Sequence, residues 1–413
     1  MTESNTLFDI AHALATAAHD GQRRRHGAPY IGHPRAVTAI ATDLGYAVGL
    51  PLSDADRAAG ILHDVIEDNA AYPEAVVAEH VGVDVAAQVS LLSKVGKGDA
   101  VVVAYYARLM AEAPPTTKLL KVADRLHNLS ELHKAHDDAK LDEYVAETER
   151  FVVPLAHSIG GRSGAGLLAA LTDGIDNARR NGAVIAGRSP PAVRGQGLYA
   201  IIQPSPSWRD RLQAVLRGGA ARVQLRVKPA DGLTDRAWLA MLGEAIELAS
   251  RFGVDVIVND RADIAFAAGV GVHVGDSDLP PAFARRILGT DALVGTSTHS
   301  VQQLVDVDSA DADGGADHLA LGPIWASPTK QGHAAIVGLD ALKTACARTS
   351  RPVVAIGGIT SPERASEVVR AGAAFACAVS AFADDDEELV WRQARRFAIA
   401  VAAARGAQTD VQC

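Results

Sequence analysis

The chain is poor in cysteine: Cys346, Cys377 and Cys413 are the only three in 413 residues, and none stands at a metal-binding spacing from another. That excludes a disulfide framework and a thiolate cluster, so no disulfide is expected and a reducing compartment is. No run of eighteen apolar residues occurs anywhere, and the first thirty residues carry "GQRRRHG" without the apolar core of a secretory leader. A cytoplasmic protein without a membrane partner is expected. There is no long basic run either, and the formal net charge is −9, which argues against nucleic acid as a partner. Phosphorylated small molecules must then meet local positive groups, and the sequence is compatible with a homo-oligomer.

What is present is the composition of a folded protein, 48% hydrophobic and 22% charged. At 413 residues the chain is too long for one ordinary core, so at least two domains are expected. Residues 6 to about 180 show helical periodicity, as in "LFDIAHALATAAHDG" and "TTKLLKVADRLHNLSELHKAH". From Gly197 the rhythm changes to short β-branched runs separated by helical stretches. Between them "RRNGAVIAGRSPPAVRGQG" reads as a connector. The expected division is a helical domain over 1–184, a linker over 185–196 and a second domain over 197–413. That second domain contains eight apolar runs, "LYAII", "RVQLRV", "VDVIV", "GVHVG", "ALVGTS", "DHLALG", "PVVAIGG" and "FACAVS", each followed by a helical segment. Eight alternations at this length predict a (β/α)₈ TIM barrel with its chemistry at the C-terminal strand ends.

In the helical half, "ILHDVIEDN" (61–69) sets a histidine and four acidic or amide groups among Ile61, Leu62, Val65 and Ile66. A charged cluster on an amphipathic helix is ordinarily a solvated face. Here a continuous helix would stack His63 over Glu67 and Asp64 over Asp68, with apolar bulk drawing part of the cluster inward. Buried carboxylates need a cation or a proton. His33, ending "GQRRRHGAPYIGHP", and Asp124, in "KVADRLHNL", would complete with His63 and Asp64 a mixed nitrogen and oxygen set suited to Mn²⁺ or another divalent metal. Glu67 and Asp68 could then deprotonate a bound water.

These three segments resemble the signature segments of HD-domain hydrolases of the stand-alone alarmone type, over about residues 8 to 155. The resemblance implies an all-α HD-domain phosphohydrolase fold and hydrolysis of a phosphorylated nucleotide, guanosine 3′,5′-bis(diphosphate) in that family. It makes His33, His63, Asp64 and Asp124 the metal ligands, with Mn²⁺ the expected ion, and Glu67 and Asp68 the water-activating pair. Asn128 becomes a nucleotide contact, Arg24 a residue packing on the base, and Arg25 a phosphate contact where the family often has lysine.

In the barrel half, Gln224, Arg226 and Lys228 alternate along "VQLRVK", so one face of a strand end would carry cationic groups that suit an anion. Asn259 and Asp260 end the third run and Asp278 follows the fourth; two carboxylates on adjacent loops suit Mg²⁺ held against a diphosphate. Ser297 and His299 follow the fifth run, and "GPIWASPTKQG" offers Ser327, Thr329 and Lys330. Gly357, Gly358, Val379 and Ser380 close runs seven and eight, where barrels bind a phosphate through backbone amides.

This ordered set resembles thiamine-phosphate synthase over about residues 197 to 385. That family condenses 4-amino-5-hydroxymethyl-2-methylpyrimidine diphosphate with thiazole phosphate and releases diphosphate. The resemblance assigns Gln224, Arg226, Lys228, Asn259, Ser297 and Lys330 to the pyrimidine diphosphate and Asp260 and Asp278 to Mg²⁺. Ser327, Thr329, Gly357, Gly358, Val379 and Ser380 go to the thiazole phosphate. Arg226 and Lys330 would stabilise the departing diphosphate. The sequence departs from the family at Val227, where glutamate is usual, at Ser327, usually threonine, and at Gly332. A thiazole tautomerase on the same fold, which needs no magnesium aspartates, and a ligand-sensing module in one half are the competing readings.

Overall fold

The computed structural model describes residues 6–134, 138–187, 195–310, 315–326 and 335–409. It divides into two compact units, one running through Ala178 and including the segment from Arg405, the other spanning Arg179–Ala404. The division falls inside a long helix, ahead of the expected connector at 185–196, most of which lies outside the described residues.

The first unit is helical: α1 (Leu7–Ala18), α2 (Gly32–Val48), α3 (Asp54–Leu62), α4 (Val65–Asp68), α5 (Glu74–Val81), α6 (Val83–Leu92), α7 (Asp99–Glu112), α8 (Pro115–Glu131), α9 (Asp138–Glu147), α10 (Val153–His157) and α11 (Gly161–Ile185). Thr6 and Ser53 start α1 and α3 with reciprocal capping boxes to Asp9 and Asp56, each satisfying amide donors that a helix start leaves open. Val37, Ile40 and Leu44 of α2, Ile61 and Leu62 of α3, and Leu119, Leu120 and Leu126 of α8 are buried together as core. Gly60 permits the close approach of these three helices, since a Cβ there would stand 2.9 Å from Leu120 Cδ2 and 3.1 Å from Thr38 Oγ1.

The helix expected through "ILHDVIEDN" is interrupted: α3 stops at Leu62 and α4 begins at Val65. The φ of −99° and ψ of −8° at Asp64 lie off helical values. The break turns His63 and Asp64 toward one point, where a straight helix would have splayed adjacent side chains by about 100°.

The second unit is an eight-stranded closed parallel barrel in sequential order, β1 pairing with β8. Its repeats are β1 (Gly197–Ile202) with α12 (Trp208–Gly218), β2 (Arg222–Leu225) with α13 (Asp235–Ser250), β3 (Asp255–Asn259) with α14 (Ala262–Ala268), and β4 (Gly271–Val274) with α15 (Pro281–Leu288). They continue with β5 (Val294–Thr298) and α16 (Val301–Ala310), β6 (His318–Leu321) and α17 (Gly338–Cys346), β7 (Val353–Ile356) and α18 (Pro362–Arg370), and β8 (Phe375–Ala378) and α19 (Glu387–Thr409). Strand β2 ends at Leu225, so only Gln224 of the alternating trio stands on a strand; Arg226 and Lys228 follow its end. Tyr199, Ile201, Ile257, Ala320, Val354, Phe375 and Cys377 fill the interior as one cluster. No helix among the described residues is long and apolar enough to cross a membrane.

Candidate functional sites

In the helical unit, α2, the α3–α4 break and α8 bring four predicted residues together. His33 Nε2 lies 3.4 Å from Asp64 Oδ2 and 3.3 Å from Asp124 Oδ1, and His63 Nε2 lies 3.0 and 3.9 Å from the same two oxygens. Donors about 2.1 Å from a shared cation are separated by roughly 3.0–3.4 Å, which three of these four distances meet; His33, His63 and Asp64 offer ligand atoms within 4.8 Å of one another, and Asp124 stands beside His33. His63 Nδ1 sits 2.9 Å from the Gly60 carbonyl, which can only accept. One proton therefore rides on Nδ1, which leaves Nε2, buried and without an aligned hydrogen bond, as the nitrogen that faces the two carboxylates. The His33 ring is anchored by His127, whose Nδ1 is 2.8 Å from His33 Nδ1.

The charges follow from this crowding. Against the cost of burial, His63 and His33 hold Asp64 well below the usual carboxylate range, and Lys121 with the same histidines does so for Asp124. Burial pulls His63 down, but Asp64 and Asp124 outweigh it and raise it to about 9. Burial lifts Glu67 and Asp68, reinforced at both by the Asp64 charge. Glu67 accepts the Lys94 backbone N–H at 2.6 Å, and Asp68, exposed on α4, lies beside Tyr30.

The predicted substrate contacts are engaged within the protein. Asn128 donates to Asp124 Oδ1 at 2.7 Å and accepts from Arg24 at 2.8 Å, and Arg24 also reaches Glu131 at 3.0 Å. Arg25 stands next to it, exposed. Sequence reasoning passed over Tyr30, whose hydroxyl donates to Asp64 at 2.9 Å, and Lys121, which donates to Asp124 at 2.8 Å. His127 and Glu131 were passed over as well, and Glu131 is held at about 2, burial opposing, by His127, Arg24 and Lys134. All four lie in or just beyond the quoted segments; a polar residue at a helix position otherwise apolar was the available signal.

At the barrel mouth, Lys228 Nζ donates to Asp260 Oδ2 at 2.5 Å and Asn259 Nδ2 donates to the same oxygen at 2.9 Å. Asn259 Oδ1 accepts the Val227 N–H at 2.8 Å, tying the third strand's end to the second's. Asp278 accepts the Gly275 N–H at 2.8 Å and faces Asp260 within hydrogen-bonding reach. Burial, opposed by that amide, and then the neighbouring Asp260 lift Asp278, while Lys228, against burial, lowers Asp260. Lys228 sets one positive charge against Asp260, and oxygen donors on two loops suit a hard divalent ion besides. Asp260 is also the one described non-glycine residue at positive φ, 62°, a conformation that aims its carboxylate off the strand axis at a cost in backbone strain.

Gln224 lies inside the barrel and donates to the Tyr199 hydroxyl at 3.1 Å. Arg226 follows β2 at the rim, half-buried. Ser297 Oγ is 3.0 Å from His273 Nε2. His299 turns aside, with Nδ1 2.7 Å from the Gly322 carbonyl and Nε2 3.4 Å from Asp276. Gly357 and Gly358, at φ of 94° and 72°, pass so close to the loop after β6 that a Cβ would meet Pro323 Cα at 2.6 Å and Trp325 Cβ at 2.7 Å. Val379 and Ser380 open the single turn Ser380–Phe382 after β8. Ser327, Thr329 and Lys330 lie outside the described residues. Sequence reasoning also missed three polar groups within the strand runs, the buried Arg222 and His318 and the half-buried His273.

Two family models match the chain. Residues 198–382 match the family model of thiamine monophosphate synthase, and residues 11–161 match that of the HD domain. The thiamine-phosphate synthase of Chloroflexus aurantiacus is 42% identical over 194 residues, 46% of this chain and 84% of that protein. That of Thermosynechococcus vestitus is 41% identical over 206 residues, 49% of this chain, which thereby spans only 56% of that relative's length. Among solved structures, a metazoan ortholog of SpoT that hydrolyzes ppGpp aligns with 42% of this chain and 96% of its own, at 22% identity and a TM-score of 0.35.

Proposed function

The chain belongs, through its C-terminal half, to the thiamine-phosphate synthase family, and we propose that this half joins 4-amino-5-hydroxymethyl-2-methylpyrimidine diphosphate to thiazole phosphate. The observation that carries the proposal is the pair Asp260 and Asp278, facing one another beside Lys228 at the strand ends. Mg²⁺ bound there would neutralise the diphosphate and stabilise it as it leaves. Lys228 and Arg226 add positive charge on the same side, where charge accumulates as the C–O bond breaks and its electron pair passes to the diphosphate. Gln224 and Asn259 orient the pyrimidine, with Ser297 beside them. The thiazole phosphate rests on the backbone of Gly357, Gly358, Val379 and Ser380, leaving the thiazole nitrogen to form the new C–N bond. Lys330 contributes to the leaving group, and Ser327 and Thr329 to the thiazole phosphate. No protein nucleophile enters the scheme. Mixing both substrates with Mg²⁺ is expected to yield thiamine phosphate and diphosphate, and Asp278→Asn to abolish the reaction. Undiminished turnover in that variant would remove the proposed metal site.

For the N-terminal half we propose a metal-dependent phosphohydrolase acting on a phosphorylated nucleotide, with guanosine 3′,5′-bis(diphosphate) the first substrate to test. The four converging groups His33, His63, Asp64 and Asp124 support it, as do the high-lying carboxyls of Glu67 and Asp68, suited to taking a proton from water. Mn²⁺ held by the four groups would supply the activated water. Arg24 and Asn128, joined to each other and to Asp124, would meet the nucleotide together with the neighbouring Arg25. Purified protein with Mn²⁺ is expected to release diphosphate from the alarmone and His63→Ala to stop it. Hydrolysis of other nucleotides only would keep the site and reject that substrate.

A further inference from the structure

Four buried or half-buried polar side chains form a path through the barrel interior beneath Ser297. Arg222 NH1 on β2 is 3.5 Å from His318 Nδ1 on β6, His318 Nε2 is 3.5 Å from His273 Nδ1 on β4, and His273 Nε2 is 3.0 Å from Ser297 Oγ on β5. The first two contacts are long and the third is of ordinary length. His273, Gly295 and His318 are in register across three adjacent strands. Gly295 supplies the space in which the rings meet: a Cβ there would stand 2.1 Å from His318 Nε2 and 2.6 Å from His273 Nδ1. Any other residue at 295 would fill the gap between the imidazoles.

The path has a direction because one end has no choice. A guanidinium only donates, so His318 Nδ1 must accept and His318 Nε2 must carry the hydrogen. His273 Nδ1 then accepts and its Nε2–H donates to Ser297. Once Ser297 Oγ accepts from below, its own hydrogen is left to point elsewhere. Arg222 is fixed in turn, its guanidinium carbon 4.4 Å over the Phe375 ring and its side chain buried. Burial, His273 and Arg222 together hold the His318 imidazole neutral, as an accepting Nδ1 requires.

We propose that Arg222, His318 and His273 are positioning residues that fix the Ser297 hydroxyl as a hydrogen-bond donor toward the pyrimidine diphosphate. They do so without touching the substrate. The assignment of that substrate rests on the synthase reading above; the tautomers do not.

Two measurements separate the two. In the wild-type protein without substrate, ¹⁵N–¹H correlation of the imidazoles is expected to show His273 and His318 both neutral with hydrogen on Nε2. Hydrogen on Nδ1 of either ring, or a charged His318, overturns the relay whatever the protein catalyses. In steady-state kinetics, His273→Phe is expected to raise KM for the pyrimidine diphosphate by about tenfold, the loss of one hydrogen bond, leaving KM for thiazole phosphate within about twofold. Ser297→Ala should do the same, and the double variant should be no worse than Ser297→Ala alone, since partners in one path are not additive. Additive effects, or equal changes in both KM values, would make His273 merely structural. Absence of thiamine phosphate formation by the wild type would sink the synthase reading, and the ¹⁵N result would still decide the relay.

Discussion

At the scale of single residues, geometry and protonation are coupled. Asp260 is the clearest case, because its positive φ of 62° is tolerated by Asp, Asn and Gly better than by other residues. Asp260→Asn is therefore expected to melt within a degree or two of wild type while losing activity on the order of 100-fold. Asp260→Ala should lose the same activity and about 1 kcal/mol of stability besides. A urea titration of both variants beside a product assay distinguishes strain from charge. His63 gives a pH prediction. Its folded value of about 9 lies above the ordinary 6.5, so in metal-free protein it contributes stability that is full below pH 6.5 and lost as pH rises through 9. Metal binding must then expel that proton, and divalent-ion affinity should climb between pH 6.5 and 9. Calorimetry in buffers of different ionisation enthalpy would register the released proton, and His63→Gln should suppress it.

At the scale of elements, the sites depend on where helices and strands stop. The α3–α4 break lets His63 and Asp64 share a focus, and the Gly60 carbonyl fixes which His63 nitrogen is free. Gly60 is itself pinned by Leu120 and Thr38 at 2.9 and 3.1 Å from a notional Cβ. Gly60→Val is expected to push α3 away from α8, destabilising the helical unit by about 1–3 kcal/mol. Metal affinity should fall with it, because His63 moves with the carbonyl. Thermal melts with and without Mn²⁺ would test this, and a variant that melts and binds like wild type would contradict it. In the barrel the corresponding device is the end of β2 at Leu225, which releases Lys228 from the sheet to reach Asp260.

At the scale of the whole molecule, two units carry two chemically different clusters, imidazole with carboxylate in one and carboxylate with ammonium in the other. Their activities are expected to be separable by substitution. His63→Ala should leave thiamine phosphate formation within about twofold of wild type, and Asp278→Asn should leave nucleotide hydrolysis equally untouched, as expected of clusters whose described contacts each lie within one unit. Assaying both reactions on both variants gives the answer, and a cross-effect of tenfold would mean that the units are coupled. The residues from Arg405 belong to the first unit, where a Cβ at Gly406 would lie 2.4 Å from Ala169 Cβ of α11. The division of residues between the units thus differs from a simple cut in the linker sequence.

The sequence by itself determined the fold class of each half, because hydrophobic periodicity is a local property: period 3.6 through residue 180, then eight short runs each followed by a helix. It also determined which residues were candidates, since chemistry-bearing types stood out against apolar neighbours, as His63 and Asp64 do in "ILHDVIEDN". Only the tertiary structure decided which candidates meet. Asp260 and Asp278 are eighteen positions apart and His33 and Asp124 ninety-one, and no local pattern encodes a distance between separate elements. The same limit hid the path from Arg222 to Ser297. Its members sit singly in four strands, and their hydrogen bonds exist only because the sheet closes and Gly295 leaves a gap between two rings.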